Sequence, residues 1–278
     1  MTPLNLPLLI EPADLEPLLN HPNLLIVDLC RPEQYASAHI PGAVYLPFNQ
    51  LMSGRSPGPG KLPDASVLAS VFSALGLTPD THVIAYDDEG GGWAGRLIWT
   101  LDVLGHTHYS YLNGGLHAWA GEQRPLEEGV NVPSPSEYTV SIDPRPTLTK
   151  DEILQRLDLP NFVIWDARSP EEYLGIRQGA AKNGHIPGAV NYEWIRAMDR
   201  HNGLRIRDLN EVRQELAALG IRADKHIVTH CQSHHRSGFT YLLGKILGFE
   251  NIQAYPGSWS EWGNDPHTPV ETDAPNGS

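Results

Sequence analysis

The chain is one pattern written twice, and this repetition constrains its fold more than any single residue does. Leu24-Leu25-Ile26-Val27-Asp28 returns as Phe162-Val163-Ile164-Trp165-Asp166, each an apolar run closed by an aspartate. Arg31-Pro32-Glu33-Gln34-Tyr35 is matched by Ser169-Pro170-Glu171-Glu172-Tyr173, and His39-Ile40-Pro41-Gly42-Ala43-Val44 recurs letter for letter from His185 to Val190. Further on, Thr81–Tyr86 pairs with Lys225–His230, Leu104-Gly105-His106 with Leu247-Gly248-Phe249, and Trp119 with Trp262. The second copy carries a short insertion near Arg177–Asn183. Short apolar runs alternate with amphipathic stretches in each copy. That pattern predicts an α/β fold of two tandem domains, each a mostly parallel sheet flanked by helices. Prolines at 133, 135, 144 and 146 mark a stiff connection, so domains at 1–130 and 147–278 are expected, joined by a linker at 131–146. The polar tail from Asn264 reads as poorly ordered.

Composition removes several classes of function. A net charge of -13 disfavours nucleic-acid binding, which needs a basic surface. An acidic chain that handles an anion must build a local positive pocket against its own field. Two cysteines, Cys30 and Cys231, do not make a secreted disulfide framework. The first residues lack the basic and apolar regions of a signal peptide, and no apolar run is long enough to span a bilayer. A cytoplasmic protein without membrane contacts is expected. His234-His235 is an adjacent pair without further ligands, and Gly90-Gly91-Gly92 lacks nucleotide-motif spacing, so neither a metal nor a cofactor is expected.

The two copies differ at one place where chemistry is expected. Ile227-Val228-Thr229-His230 reads as a buried strand, Gln232-Ser233-His234-His235-Arg236-Ser237-Gly238 as a polar loop, and Phe239–Leu247 as a helix. Cys231 stands where strand meets loop, with backbone N–H groups, a helix end and Arg236 available to stabilise a thiolate. The competing reading is an inert packing thiol, but packing would not require the polar run that follows. Aligning the copies puts Asp87 opposite Cys231, and the acidic loop Asp88-Glu89-Gly90 has no nucleophile. The second domain is therefore expected to be active and the first inactive. Cys30 lines up with Arg168 at a strand end and reads as structural, as do Asp28, Asp166, His39 and His185, which occur in both copies or outside the loop.

The duplicated His-Ile-Pro-Gly-Ala motif, a Cys-x4-Arg-Ser loop in the second copy alone and the closing run Gly257-Ser258-Trp259-Ser260-Glu261-Trp262 resemble the tandem-domain sulfurtransferases of the rhodanese superfamily. The resemblance covers roughly residues 8 to 265. It implies that Cys231 takes a sulfur from a small anionic donor as a persulfide and passes it to cyanide, a thiol or a protein acceptor. It also implies that Arg236 and Arg168 bind the donor anion and that Gln232, Ser233, His234, His235 and Ser237 form the substrate-binding loop. Trp93, presented by the inactive domain, and Trp194 would line the pocket; for both tryptophans plain core packing is the competing reading. The histidine pair is expected to tune the thiolate. Mercaptopyruvate enzymes carry an aspartate and a histidine after the first His-Ile-Pro-Gly motif. Here Ser53–Pro63 has neither, so thiosulfate is favoured by elimination. Three alternatives stand beside this: a persulfide carrier for a protein partner, a mercaptopyruvate sulfurtransferase, and a phosphatase or arsenate reductase of related fold. The last is disfavoured by a Cys-to-Arg loop one residue shorter than the Cys-x5-Arg of phosphatases.

Overall fold

Strands form at the apolar runs. The computed structural model describes residues 4–272. Its strands are β1 (Leu9–Ile10), β2 (Leu24–Asp28), β3 (Val44–Tyr45), β4 (His82–Tyr86), β5 (Tyr109–Leu112), β6 (Phe162–Asp166), β7 (Val190–Asn191), β8 (Met198–Asp199), β9 (Arg205–Ile206), β10 (His226–His230) and β11 (Ile252–Ala254). One sheet runs β1-β5-β4-β2-β3 and another β11-β10-β6-β7, with every pairing parallel; β8 and β9 make an antiparallel pair. The central strands β4 and β10 are buried along nearly their whole length, as expected where helices cover both faces of a parallel sheet. The α/β architecture expected from the repeat is the one observed.

The chain divides into two compact units that are not contiguous in sequence. One holds the chain up to Leu51, Pro63–Asp143 and Met198–Arg207; the other holds Met52–Leu62, Pro144–Ala197 and the chain from Asp208. The expected linker, 131–146, contains one of the crossings between units. Two shorter segments, Met52–Leu62 and Met198–Arg207, belong to the unit opposite their own sequence copy. No local pattern announces this.

The repeated motif does the same structural work in each unit. His39 lies on the Tyr35 ring with centroids 4.2 Å apart and its Nδ1 2.7 Å from the Tyr35 carbonyl; His185 does so with Tyr173 at 3.7 and 2.9 Å. Ile40 and Ile186 are fully buried. Gly42 and Gly188 turn the chain at φ +77° and +72°, and their N–H groups donate to Glu127 and Glu271. The indoles of Trp119 and Trp262 donate to the Pro125 and Pro269 carbonyls. The tail is therefore ordered further than expected. Thr268 bonds the Trp262 carbonyl and Glu271 bridges His185, while residues 273–278 lie outside the described residues. Among the described residues, no helix is long and apolar enough to cross a membrane.

Candidate active site

Cys231 follows β10 directly, and its residue is 1 % exposed. The next helix begins earlier than the sequence suggests, at Arg236, and runs to Ile246. Arg236 and Ser237 therefore occupy its first turn instead of a loop. The first turn of a helix presents unpaired N–H groups and the positive end of the dipole, and the Ser237 backbone bonds the Cys231 sulfur. The Ser237 hydroxyl donates to Cys231 Sγ at 3.5 Å.

The carbonyls of the loop point the other way. Trp259 N–H donates to the Cys231 carbonyl at 2.9 Å, and Ser260 donates to the Gln232 carbonyl through N–H at 3.0 Å and Oγ at 2.6 Å. The closing Gly-Ser-Trp-Ser-Glu-Trp run is thus the back wall of the loop. Gly60, from Met52–Leu62, lies against the same wall: a Cβ built there would stand 2.1 Å from the Ser233 carbonyl oxygen. Its neighbour Lys61 pairs with Glu261 at 2.5 Å, and Glu261 also accepts from the Tyr255 hydroxyl at 2.9 Å.

Burial alone would push the Cys231 thiol up. The Arg236 guanidinium, the Ser237 hydroxyl and N–H, and His235 outweigh it and bring the pKa down to about 7. Cys30 is the opposite case. It is equally buried, and burial together with Asp28 pushes its thiol far above the ordinary range. Its N–H donates to Asp28 at 2.7 Å.

Both arginines expected to hold a donor anion have carboxylate partners. Arg236 forms a two-pronged pair with Glu172, Nη1 to Oε2 at 2.5 Å and Nη2 to Oε1 at 2.9 Å. Burial opposes the Glu172 charge, yet Arg236 holds that carboxyl below its usual range. Arg168 is 1 % exposed, bonded to Asp166 through Nε at 2.9 Å and Nη2 at 2.5 Å, to the Gly184 carbonyl at 2.8 Å, and stacked 4.3 Å from the Trp259 ring. Arg168, expected to bind the donor anion, thus has its guanidinium buried between Asp166 and the Trp259 ring. Asp166 also stands 3.6 Å from His230 Nε2.

The other expected loop residues divide by burial. Gln232 is half-buried and donates to the Gly179 carbonyl of the insertion at 2.9 Å and to Ser260 Oγ at 3.1 Å. Ser233 is half-buried beside Gly60. His234 is fully buried, with Nδ1 2.7 Å from Ser237 Oγ. His235 is half-buried, edge-on to Trp194 with centroids 5.5 Å apart, and Trp194 also meets Phe239 at 6.1 Å. Trp93 belongs to the first unit, where it stacks on Phe48 at 4.1 Å. Sequence reasoning missed Glu172, although the repeat holds its signature. Gln34 in the first copy becomes Glu172 in the second just where Gly92 becomes Arg236.

In the first unit the corresponding loop closes on a charge of its own. Asp87 Oδ1 accepts N–H bonds from Glu89, Gly90 and Gly91 at 3.1, 3.1 and 2.8 Å, and Oδ2 one from Ala94 at 3.0 Å. Burial and the neighbouring Glu89 carry its pKa up to about 6 against those four bonds. The first loop thus closes four backbone N–H groups on a carboxylate, where the second brings the Ser237 N–H and hydroxyl to a thiol. Among the described residues no group of three or more His, Cys, Asp or Glu side chains could hold a metal ion.

An acidified thiol held by Arg236 and by the Ser237 N–H and hydroxyl, at the end of a parallel strand, defines a site for transfer chemistry through cysteine. Residues 11–122 and 149–265 each match the rhodanese-like domain family, and the chain belongs to it. A thiosulfate sulfurtransferase of Azotobacter vinelandii is 51 % identical over 267 residues, covering 96 % of this chain and 98 % of its own. A sulfur carrier protein of Thermus thermophilus is 31 % identical over 85 % of this chain and 86 % of its own. The fold superimposes on an anaerobic ergothioneine biosynthesis enzyme from Chlorobium limicola with a TM-score of 0.85 at 22 % identity, over 96 % of this chain and 71 % of that one.

Proposed function

We propose that the chain is a thiosulfate sulfurtransferase that carries sulfur as a persulfide on Cys231. The Cys231 thiolate attacks the outer sulfur of thiosulfate. A new S–S bond forms, the bond to the sulfonate sulfur breaks, and sulfite leaves with the electron pair. A thiophilic acceptor such as cyanide then attacks the outer sulfur, and Cys231 departs as the thiolate it was at the start. No external oxidant or reductant is consumed. A low thiol pKa serves both steps, since it supplies the nucleophile near neutral pH and makes a better leaving group. Arg236 and the N–H groups of the first helical turn support charge on Sγ and on the persulfide, as donors do in an oxyanion hole.

The observation that carries this reading is the contrast between the two thiols, one held at about 7 beside Arg236 and the other pushed up and buried. The relative at 51 % identity supports thiosulfate as donor. The test is an intact mass after thiosulfate treatment and again after cyanide. The expected result is a gain of one sulfur atom, lost on cyanide, and absent in Cys231→Ser. A mass that never changes overturns the reading. The relative named as a sulfur carrier supports a second reading, transfer from the same persulfide to a protein acceptor. It predicts faster discharge by a protein thiol than by cyanide.

A further inference from the structure

His234 and Ser237 form a chain beneath the thiol. Ser237 Oγ donates to Cys231 Sγ at 3.5 Å, and the same oxygen lies 2.7 Å from His234 Nδ1. A serine hydroxyl has one proton. With that proton on sulfur, the shorter contact is a donation from His234 Nδ1–H to the oxygen, which fixes the imidazole tautomer. Both residues are fully buried, away from bulk solvent.

The backbone supplies a second, independent observation. His234 sits at φ +57°, the left-handed region that favours glycine, and the aligned residue in the first copy is Gly90 at φ +97°. A histidine at this position is less comfortable than glycine, and strain of that kind points to a task. The first copy has Gly90 and Trp93 where the second has His234 and Ser237, so its cradle has neither member of the chain.

We propose that His234 is a positioning residue that acts through Ser237, holding the hydroxyl proton on Cys231 Sγ and so favouring the thiolate over the thiol. The proposal rests on the reading of Cys231 as the nucleophile. The hydroxyl keeps its proton throughout, and the bond is strongest when Sγ carries the full charge. In the persulfide that charge moves to the outer sulfur, so the chain assists thiolate attack and thiolate departure more than storage. Other charged and titratable groups surround this device. Arg236 and His235 come from the loop and helix, Glu172 faces Arg236, Asp166, Arg168 and His230 stand at the strand ends, and Glu261 and Lys61 lie behind the loop. His235 packs edge-on against Trp194.

The test is the pH dependence of Cys231 alkylation by iodoacetamide in the full chain, with melting temperature read in parallel. Ser237→Ala and His234→Gly are expected to raise the alkylation midpoint by about one pH unit. His234→Asn tolerates the left-handed backbone and offers a side-chain N–H near the Nδ1 position, so its midpoint should stay near wild type. Ser237→Thr keeps the hydroxyl and should do the same. Melting temperatures that fall while every midpoint stays in place overturn the proposal, as do equal shifts in His234→Asn and His234→Gly. Sulfur loading of the wild type, read by mass, is a separate measurement. Normal loading with unmoved midpoints removes the chain alone. No loading with the expected shifts removes sulfur transfer and leaves the chain as a thiolate device.

Discussion

Cys30 follows β2 and Cys231 follows β10, and the difference in their surroundings sets their reactivity. Because the Cys231 pKa lies near 7, below its ordinary 9.0, its thiolate fraction climbs as pH rises from 6 to 8. Iodoacetamide labelling of the native chain should climb with it, on Cys231 alone, and a peptide map checks this. Cys30 should stay unlabelled until the protein is denatured, and Cys30→Ser should keep its sulfur transfer. Glu172 is the carboxylate that faces Arg236. Glu172→Gln removes the charge facing Arg236, leaving the guanidinium to act on sulfur with less opposition. The Cys231 midpoint should drop below that of wild type, while loss of the charged bond pair lowers stability by about 1–3 kcal/mol. Alkylation and chemical denaturation read the two effects separately. An unchanged midpoint would mean that Glu172 only anchors the helix.

At the scale of elements, the Cys231 loop is held from behind as well as from its two ends. Gly60→Ala would drive a methyl group into the Ser233 carbonyl, a backbone atom that cannot swing aside. The expected outcome is a loss of about 1–3 kcal/mol, typical of overpacking, with a fall in sulfur transfer; Gly58→Ala, which meets the flexible Lys61 side chain, should be milder. Equal behaviour of the two variants, in melting and turnover, would remove the buttress. The strands were legible because strands buried on both faces are mostly apolar, although buried His82 opens β4 and buried Thr229 and His230 close β10. The helix start was not legible. Its cap residue, His235, makes no side-chain cap bond, so none of the usual serine, threonine or aspartate signals precedes Arg236. The thiol and its loop were readable from the repeat. The partners of the two arginines were not: Glu172 lies 64 residues from Arg236 and leaves no periodicity, while Asp166, two residues from Arg168, was read as structural because it recurs as Asp28.

At the scale of the molecule, the sequence copies and the compact units do not coincide. A truncation to 147–278 retains Cys231, Arg236 and Glu172 but lacks Met52–Leu62, which belongs to the same unit. It should show weaker sulfur transfer and a lower melting temperature than the full chain; full activity in the truncated protein would show that the missing segment is dispensable. The Asp87 carboxylate in the first loop has a further effect on the whole chain. A cradle whose charge is tethered by a covalent bond cannot exchange it for a solute at any concentration. Loading with thiosulfate should therefore saturate at one sulfur per polypeptide, however large the excess of donor, and the titration should have a single phase.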